Sequence, residues 1–231
     1  MTTEKPAASP LPLLLLLLSV TTGLVDAISV LGLGKVFTAN MTGNVVFLGF
    51  AASGAPGFKF TPYVVAIASF MVGALVGGHT AKRHAGSPLR RWLIVAASVE
   101  AILLWLAAAV AVGFDVATQT PSASVYVIIA LTGLAMGFRN ATIRQLKVPD
   151  LTTTVLTLTI TGLAADSGFA GGSNPNWARR IGSVAAIFLG AAIGAYLVTH
   201  GGLVPPLLLA GGLIFAGTLV CALHPAAARP L

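Results

Sequence analysis

The chain has 231 residues, of which 56% are hydrophobic and only 8% are charged. Soluble domains carry roughly 25% charged residues, so this composition excludes a soluble globular domain. The hydrophobic content also excludes a disordered chain. The formal net charge of +7 does not indicate a nucleic-acid partner, because Lys and Arg accumulate in the cytoplasmic loops of membrane proteins. The sequence therefore predicts an all-α protein with several membrane spans, in contact with the lipid bilayer.

Six stretches are long and apolar enough to cross a bilayer as helices. They are Leu11–Gly34, Pro62–Thr80, Arg91–Gly113, Ser124–Ile143, Ile181–Thr199 and Leu203–Leu223. Two shorter apolar stretches, Val45–Ala52 and Leu151–Ala165, lie between them and open with polar residues. Their length is typical of re-entrant or broken helices. We expect a tail at residues 1–10 and a single membrane domain at 11–231.

The first span imitates a secretory signal, because Lys5 precedes a leucine run and Val25-Asp26-Ala27 resembles a cleavage site. The apolar pattern continues beyond that point through Leu33. We therefore interpret the segment as a retained span.

The basic residues favour one topology over another. With six spans and a cytoplasmic N-terminus, eleven of the thirteen Lys and Arg residues face the cytoplasm, and only Lys35 and Lys59 face outward. If both short stretches crossed the membrane, the eight-span split would be eight to five. Since basic residues concentrate on the cytoplasmic side, the sequence predicts six spans with both termini in the cytoplasm.

The two halves of the chain share an order of features: a span, a polar turn, a short apolar segment and two further spans. This order predicts two three-span repeats, at about residues 11–113 and 124–223, and an odd number of spans inverts the second copy, as in many secondary transporters. The alternative is coincidence among abundant small residues. An offset of 110 residues aligns Gly23-Leu24 with Gly133-Leu134 and Thr42 with Thr152, and an offset of 117 aligns Gly73 and Gly77 with Gly190 and Gly194.

Three charged residues fall inside the predicted spans: Asp26, Glu100 and Arg139. Charges there are costly, by about 2.5–3.5 kcal/mol on insertion scales, and are candidates for functional sites. Their depths predict that Arg139 lies beside Glu100 in preference to Asp26. The ordinary interpretation is a structural ion pair, and a functional role is the alternative.

The polar turns are a second candidate site. Their side chains are typical helix N-caps, and helix N-termini inside a membrane also bind polar solutes. We expect the two turns to converge on one polar cavity that lines a substrate path. The path candidates are Asn40, Thr42 and Asn44 in the first turn and Asp150, Thr152 and Thr154 in the second.

Several longer motifs resemble the YoaK family. They are Gly23-Leu-Val-Asp-Ala-Ile-Ser, Phe37-Thr-Ala-Asn-Met-Thr-Gly-Asn44, Gly137-Phe-Arg-Asn-Ala141, Val148-Pro-Asp-Leu-Thr-Thr-Thr-Val155 and Thr161-Gly-Leu-Ala-Ala-Asp166. The resemblance runs from about Leu11 to Leu223 and implies a protein of the bacterial inner membrane. The family supplies no established substrate or catalytic residue.

These features predict a transporter or channel for a small polar or charged solute. The alternative is a membrane scaffold or regulatory subunit that transports nothing. We expect no enzymatic activity and no cofactor, because the sequence contains no nucleophile–base motif. It also lacks a Cys/His cluster with metal-ligand spacing, and Cys221 is the single cysteine. A homo-oligomer remains open.

Overall fold

The structure is a computed structural model that describes residues 10–146 and 156–228, and it consists of eight α-helices within those ranges. Six helices are long and apolar enough to span a membrane, which confirms the predicted fold class. The described residues contain no β-strand, apart from one isolated bridge between Asp115 and Thr120. The spanning helices are α1 (Leu11–Gly32), α3 (Phe60–Arg83), α4 (Leu89–Val110), α5 (Ser122–Leu146), α7 (Trp177–Gly201) and α8 (Val204–Leu223), and the short helices are α2 (Met41–Ala52) and α6 (Thr157–Ala165).

The first short helix begins earlier than its apolar stretch predicts. Asn40 is in an extended conformation and Met41 starts α2, so Thr42 and Asn44 lie within the first turn of the helix. The expectation that they precede the helix is therefore wrong. The side chain of Asn44 hydrogen-bonds to the Phe37 backbone while its own backbone is helical, so the polar residues are part of the helix. The second polar turn, with Asp150, Thr152 and Thr154, lies outside the described residues.

Helices α1 and α5 are the most enclosed elements of the bundle. Helix α1 packs against α7 and α8, and α5 packs against α3 and α4, while α4 also packs against α8. Glycines allow the closest of these approaches. A Cβ atom added at Gly73 would lie 2.1 Å from the carbonyl oxygen of Leu134, and one at Gly190 would lie 1.9 Å from that of Val20. The small residues therefore bring helix backbones into direct contact.

These close contacts occur in two corresponding sets. Gly77 faces Phe138 and Ala141, and Gly194 faces Leu24 and Ala27. This correspondence retains the offset of 117 between α3 and α7. The contacts give an offset of 114 between α1 and α5, whereas the sequence alignment gave 110. Gly23 therefore corresponds to Gly137 and not to Gly133.

The contacts also fix the helix directions. Along α3 and α5, Gly73 faces Leu134 and the next glycine, Gly77, faces Phe138, so these helices run parallel. The same order along α1 and α7 makes that pair parallel. Arg139, near the end of α5, bonds to Leu18, near the start of α1. Helices α1 and α5 therefore run in opposite directions, and each short helix lies between two spans without adding a crossing.

The outer faces of α3 and α7 are apolar and exposed. Such a surface is stable only against lipid, since soluble proteins rarely expose large contiguous apolar patches. The exposed side chains are Met71, Val72, Leu75 and Val76 on α3, and Phe188, Leu189, Ile193 and Tyr196 on α7.

Candidate functional site

An ion pair between α4 and α5 lies in the core of the bundle. Arg139 Nε donates a hydrogen bond to Glu100 Oε1, and Arg139 Nη2 forms an ion pair with the same oxygen. The two residues are only 1% and 4% exposed. The structure therefore contains the contact that the sequence predicts, with Glu100 as the partner of Arg139.

Arg139 also joins α1 to this pair. Its Nη1 donates to the carbonyl oxygen of Leu18 at 3.1 Å and to the hydroxyl oxygen of Thr22 at 3.0 Å. The Thr22 hydroxyl in turn donates to the same carbonyl oxygen at 2.9 Å. One guanidinium thus holds three helices at one level, with its charge balanced by Glu100.

Asp26 is the third intramembrane charge and occupies a different place. It lies on α1, six residues before the helix ends at Gly32, or about 9 Å along the axis. The backbone N–H of Ala39 is directed at its carboxyl group, and the Arg139 guanidinium attracts it electrostatically. Its Oδ1 atom is enclosed and has no hydrogen-bond partner among the described residues.

The contact between Asp26 and Ala39 places the segment before α2 inside the bundle. The loop after α1 folds back to the depth of Asp26, and α2 then runs outward toward the start of α3, against which it packs. Helix α2 is therefore a short helix that follows a buried segment, Thr38–Ala39, whereas Met41 is half-buried and Thr42 is exposed at its start. Such an arrangement requires that its free backbone groups find partners.

Asn44 supplies the contacts that hold this fold-back. Its side-chain oxygen accepts a hydrogen bond from the Phe37 backbone N–H at 2.9 Å, and its side-chain amide donates to the Phe37 carbonyl oxygen. Asn44 is fully buried, whereas Thr42 is exposed. Asn40 occupies the N-cap position, but its side chain makes no capping hydrogen bond. Of these three path candidates, Asn44 thus has a defined structural role.

Aromatic side chains fix α2 against its neighbours. Phe47 lies at the centre, with ring centroids 6.1 Å from Phe37, 5.3 Å from Phe58 and 5.8 Å from Tyr63. The ammonium group of Lys35 lies 5.6 Å from the Phe58 centroid, within the range of a cation–π contact. This cluster packs α2 against the loop before it and against the start of α3.

Two buried polar groups near α2 escaped the sequence reasoning. The Thr38 hydroxyl is fully buried and has no hydrogen-bond partner among the described residues, and the same holds for the Tyr63 hydroxyl. Buried hydroxyls normally find partners, so each marks a place for water or a polar ligand. The sequence signal that could have indicated Thr38 was its position within the Phe37–Asn44 motif.

Two cavities lie elsewhere in the bundle, and Thr38, Tyr63 and Asp26 line neither of them. One, of about 320 Å³, opens where α1 ends, and its lining includes Lys35, Lys59, Gln119 and Tyr126. The other, of only about 20 Å³, lies against Glu100 and Arg139. The second volume holds about one water molecule, so the ion pair is nearly dry.

The described residues contain no cluster of three or more His, Cys, Asp or Glu side chains that would hold a metal ion. Among the described residues, the carboxyls within the spans are those of Asp26 and Glu100. The arrangement is suited to holding a proton, a water molecule or a small polar solute.

Six apolar spans, a buried ion pair and a short helix that follows a buried segment define a polytopic α-helical membrane protein. A family described as "Protein of unknown function (DUF1275)" matches residues 14–220, which is most of the chain. The chain belongs to this family.

A named relative agrees with this assignment. The chain is 30% identical over 153 residues to the UPF0700 transmembrane protein YoaK of Bacillus subtilis (strain 168). The aligned residues cover 66% of this chain and 65% of the relative. The matched part is thus just under two thirds of the relative's length. No solved structure matches the chain.

Proposed function

We propose that this protein is a transporter or channel for a small polar or charged solute. The observation that supports this most lies between α1 and the buried segment Thr38–Ala39, where Asp26 Oδ1 and the Thr38 hydroxyl have no hydrogen-bond partner among the described residues. A polar solute or water passing this point would satisfy both. Leaving such groups without any partner costs about 1–3 kcal/mol each.

The arrangement of the helices supports the same proposal. The corresponding contacts of α1 with α7 and of α5 with α3, together with the opposite directions of α1 and α5, suit two inverted repeats. Transporters of that plan place their substrate site where the repeats meet, next to broken helices. The cavity that contains Lys35 and Lys59 would be the outward entrance.

The proposal includes a location. The resemblance to the YoaK family favours the bacterial inner membrane, and the basic residues favour both termini in the cytoplasm, with Lys35 and Lys59 outside. The protein would act without enzymatic chemistry.

A flux screen on the purified protein in liposomes tests the proposal, with a cation, an anion and a neutral polar solute as separate probes. Thr38→Val removes a buried unpartnered hydroxyl at nearly constant volume and is expected to reduce flux of the transported solute at least severalfold. Thr199→Val is the matched control, because Thr199 is exposed near the end of α7 and its hydroxyl donates to the Ala195 carbonyl oxygen of its own helix. Wild-type liposomes that move none of the three probes, or equal loss in both variants, would contradict the proposal.

A scaffold or regulatory subunit is the second candidate function. The nearly dry surroundings of the Glu100–Arg139 pair favour it, because a rigid core without water suits a structural protein. In that case cysteines introduced at Thr38 and Asn40 would not react with a membrane-impermeant thiol reagent, whereas a transporter would expose at least one of them.

A further inference from the structure

The intramembrane charges do not balance. Glu100 and Arg139 form a neutral pair, in which Nε and Nη2 of the guanidinium face the carboxylate and Nη1 is bonded to α1. Asp26 is left as a second carboxyl in the same bundle, with Oδ1 enclosed and without a hydrogen-bond partner among the described residues. An ionised carboxylate in that position is costly unless a counter-charge or donors surround it.

The surroundings of Asp26 act in opposite directions. Enclosure of the carboxyl favours its neutral form, whereas the N–H of Ala39 just before α2 and the Arg139 guanidinium favour its ionised form. A bound metal cation would need several oxygen ligands, and the described residues place one carboxyl at this position. The group that fits is a single proton.

The ionisation of the Asp26 carboxyl also depends on the titratable groups of the elements around α1. On α5 and α4 these are Arg139 and Glu100, which are paired with each other. The loop that follows α1 contributes Lys35, which is exposed over the Phe58 ring, and α3 contributes the buried Tyr63. Helices α7 and α8, which also pack against α1, contribute Arg179, Arg180, Tyr196, His200 and Cys221. Arg139 is the charged group whose attraction reaches Asp26.

We propose that Asp26 is a reversible proton-binding site beside Thr38–Ala39, the buried segment that precedes α2. When the carboxyl takes up a proton from water it becomes neutral, and when it releases the proton the carboxylate is held by the Ala39 N–H and attracted by Arg139. Resting on the proposed transport function, we further infer that this exchange couples proton movement to solute movement. The segment that precedes α2, where the Thr38 hydroxyl has no hydrogen-bond partner among the described residues, would respond to the charge on Asp26.

The corresponding position in the second half provides a clean variant. With the offset of 114 residues, Asp26 corresponds to Asn140 on α5, so Asp26→Asn installs the side chain that the protein already uses at the equivalent place. The control is Asp115→Asn. Asp115 is exposed in the loop between α4 and α5, and the backbone N–H groups of Thr118 and Ala117 lower the pKa of its carboxyl.

Infrared difference spectra of the purified protein in lipid, between mildly alkaline and mildly acidic buffer, test the proton site directly. The carbonyl stretching band of a newly protonated, buried carboxyl is expected in wild type and in Asp115→Asn, and is expected to be absent in Asp26→Asn. The same band in Asp26→Asn as in wild type, or no band in wild type, would overturn the proton site whatever the flux experiments show.

The coupling needs a separate measurement. If the liposome screen finds a transported solute, a pH gradient should accelerate wild-type flux, and Asp26→Asn should abolish that acceleration while Asp115→Asn retains it. An Asp26→Asn variant that still responds to the gradient would overturn the coupling. A protein with the infrared band and no flux of any probe would retain the proton site and refute the transport function.

Discussion

At the scale of single residues, the buried ion pair shows what can be predicted from the depth of a residue within its membrane span. Glu100 and Arg139 are each about a third to a half of a helix length from the same surface, so their partnership could be anticipated from span limits. The hydrogen bonds of Arg139 to Leu18 and Thr22 could not, because any polar atom on α1 at that level would have served. The contacts of Asn44 were equally hidden, since they depend on a loop that folds back.

Removing Glu100 alone should destabilise the bundle strongly. Glu100→Gln leaves the Arg139 guanidinium buried without a counter-charge, and stranding one partner of a buried pair typically costs ~3–5 kcal/mol. Thermal unfolding in detergent should therefore occur at a lower temperature than in wild type. Asp115→Asn, the same chemical change at an exposed carboxyl, should leave the midpoint unchanged.

The double variant Glu100→Gln/Arg139→Gln separates charge from packing. Because it removes both charges, its loss of stability should be smaller than the sum of the two single losses, as expected for coupled groups. Additive losses would mean that the two side chains do not depend on each other.

At the scale of elements, the helices were predicted more accurately than their alignment. All six spans appear with limits within a few residues of those expected from hydropathy. The offset between α1 and α5 was wrong by four residues, which is one helical turn. Such a shift leaves every side chain on nearly the same face of the helix, so a pattern of small residues hardly distinguishes the two registers. Contacts across the interface were needed to choose.

The glycine contacts give a prediction for helix packing. In Gly73→Ala the new Cβ would lie 2.1 Å from the Leu134 carbonyl oxygen, so α3 and α5 would have to separate. Overpacking of this kind typically costs about 1–3 kcal/mol, which thermal unfolding in detergent would detect. Gly78→Ala, on the same helix, has nothing within 4 Å of the new Cβ and should not lower the midpoint. Equal loss in both variants would assign the effect to helix α3 itself.

At the scale of the whole molecule, the number of crossings decides how the two halves are related. The bond between Arg139 and Leu18 joins the end of α5 to the start of α1. If α2 crossed the membrane as well, these residues would be about 15 Å apart in depth at 1.5 Å per residue. The distribution of basic residues could predict six spans. Only the packing shows that the end of α5 lies on the same side of the membrane as the start of α1.

Reporter fusions test the orientation of this bundle in cells. Fusions after Arg91, Gly172 and Leu231 should report the cytoplasm, and a fusion after Ala117 should report the periplasm, because the basic loops remain inside. A periplasmic signal after Gly172 would require an additional crossing between α5 and α7. A cytoplasmic signal after Ala117 would reverse the assignment of the entrance that contains Lys35 and Lys59.

The packing of α1 against α7 has a consequence for how the chain is made. Val20 leaves the ribosome roughly 170 residues before its contact Gly190, an interval of about 10–30 s at ordinary rates of synthesis. For roughly the first 120 of those residues Thr22 also lacks its partner Arg139 on α5, and for the whole interval the glycine-contacting face of α1 lacks α7. Completion of the bundle therefore depends on the insertion machinery or a chaperone shielding the first helix until the last two arrive, so chains that terminate before α7 should be targets for membrane proteases.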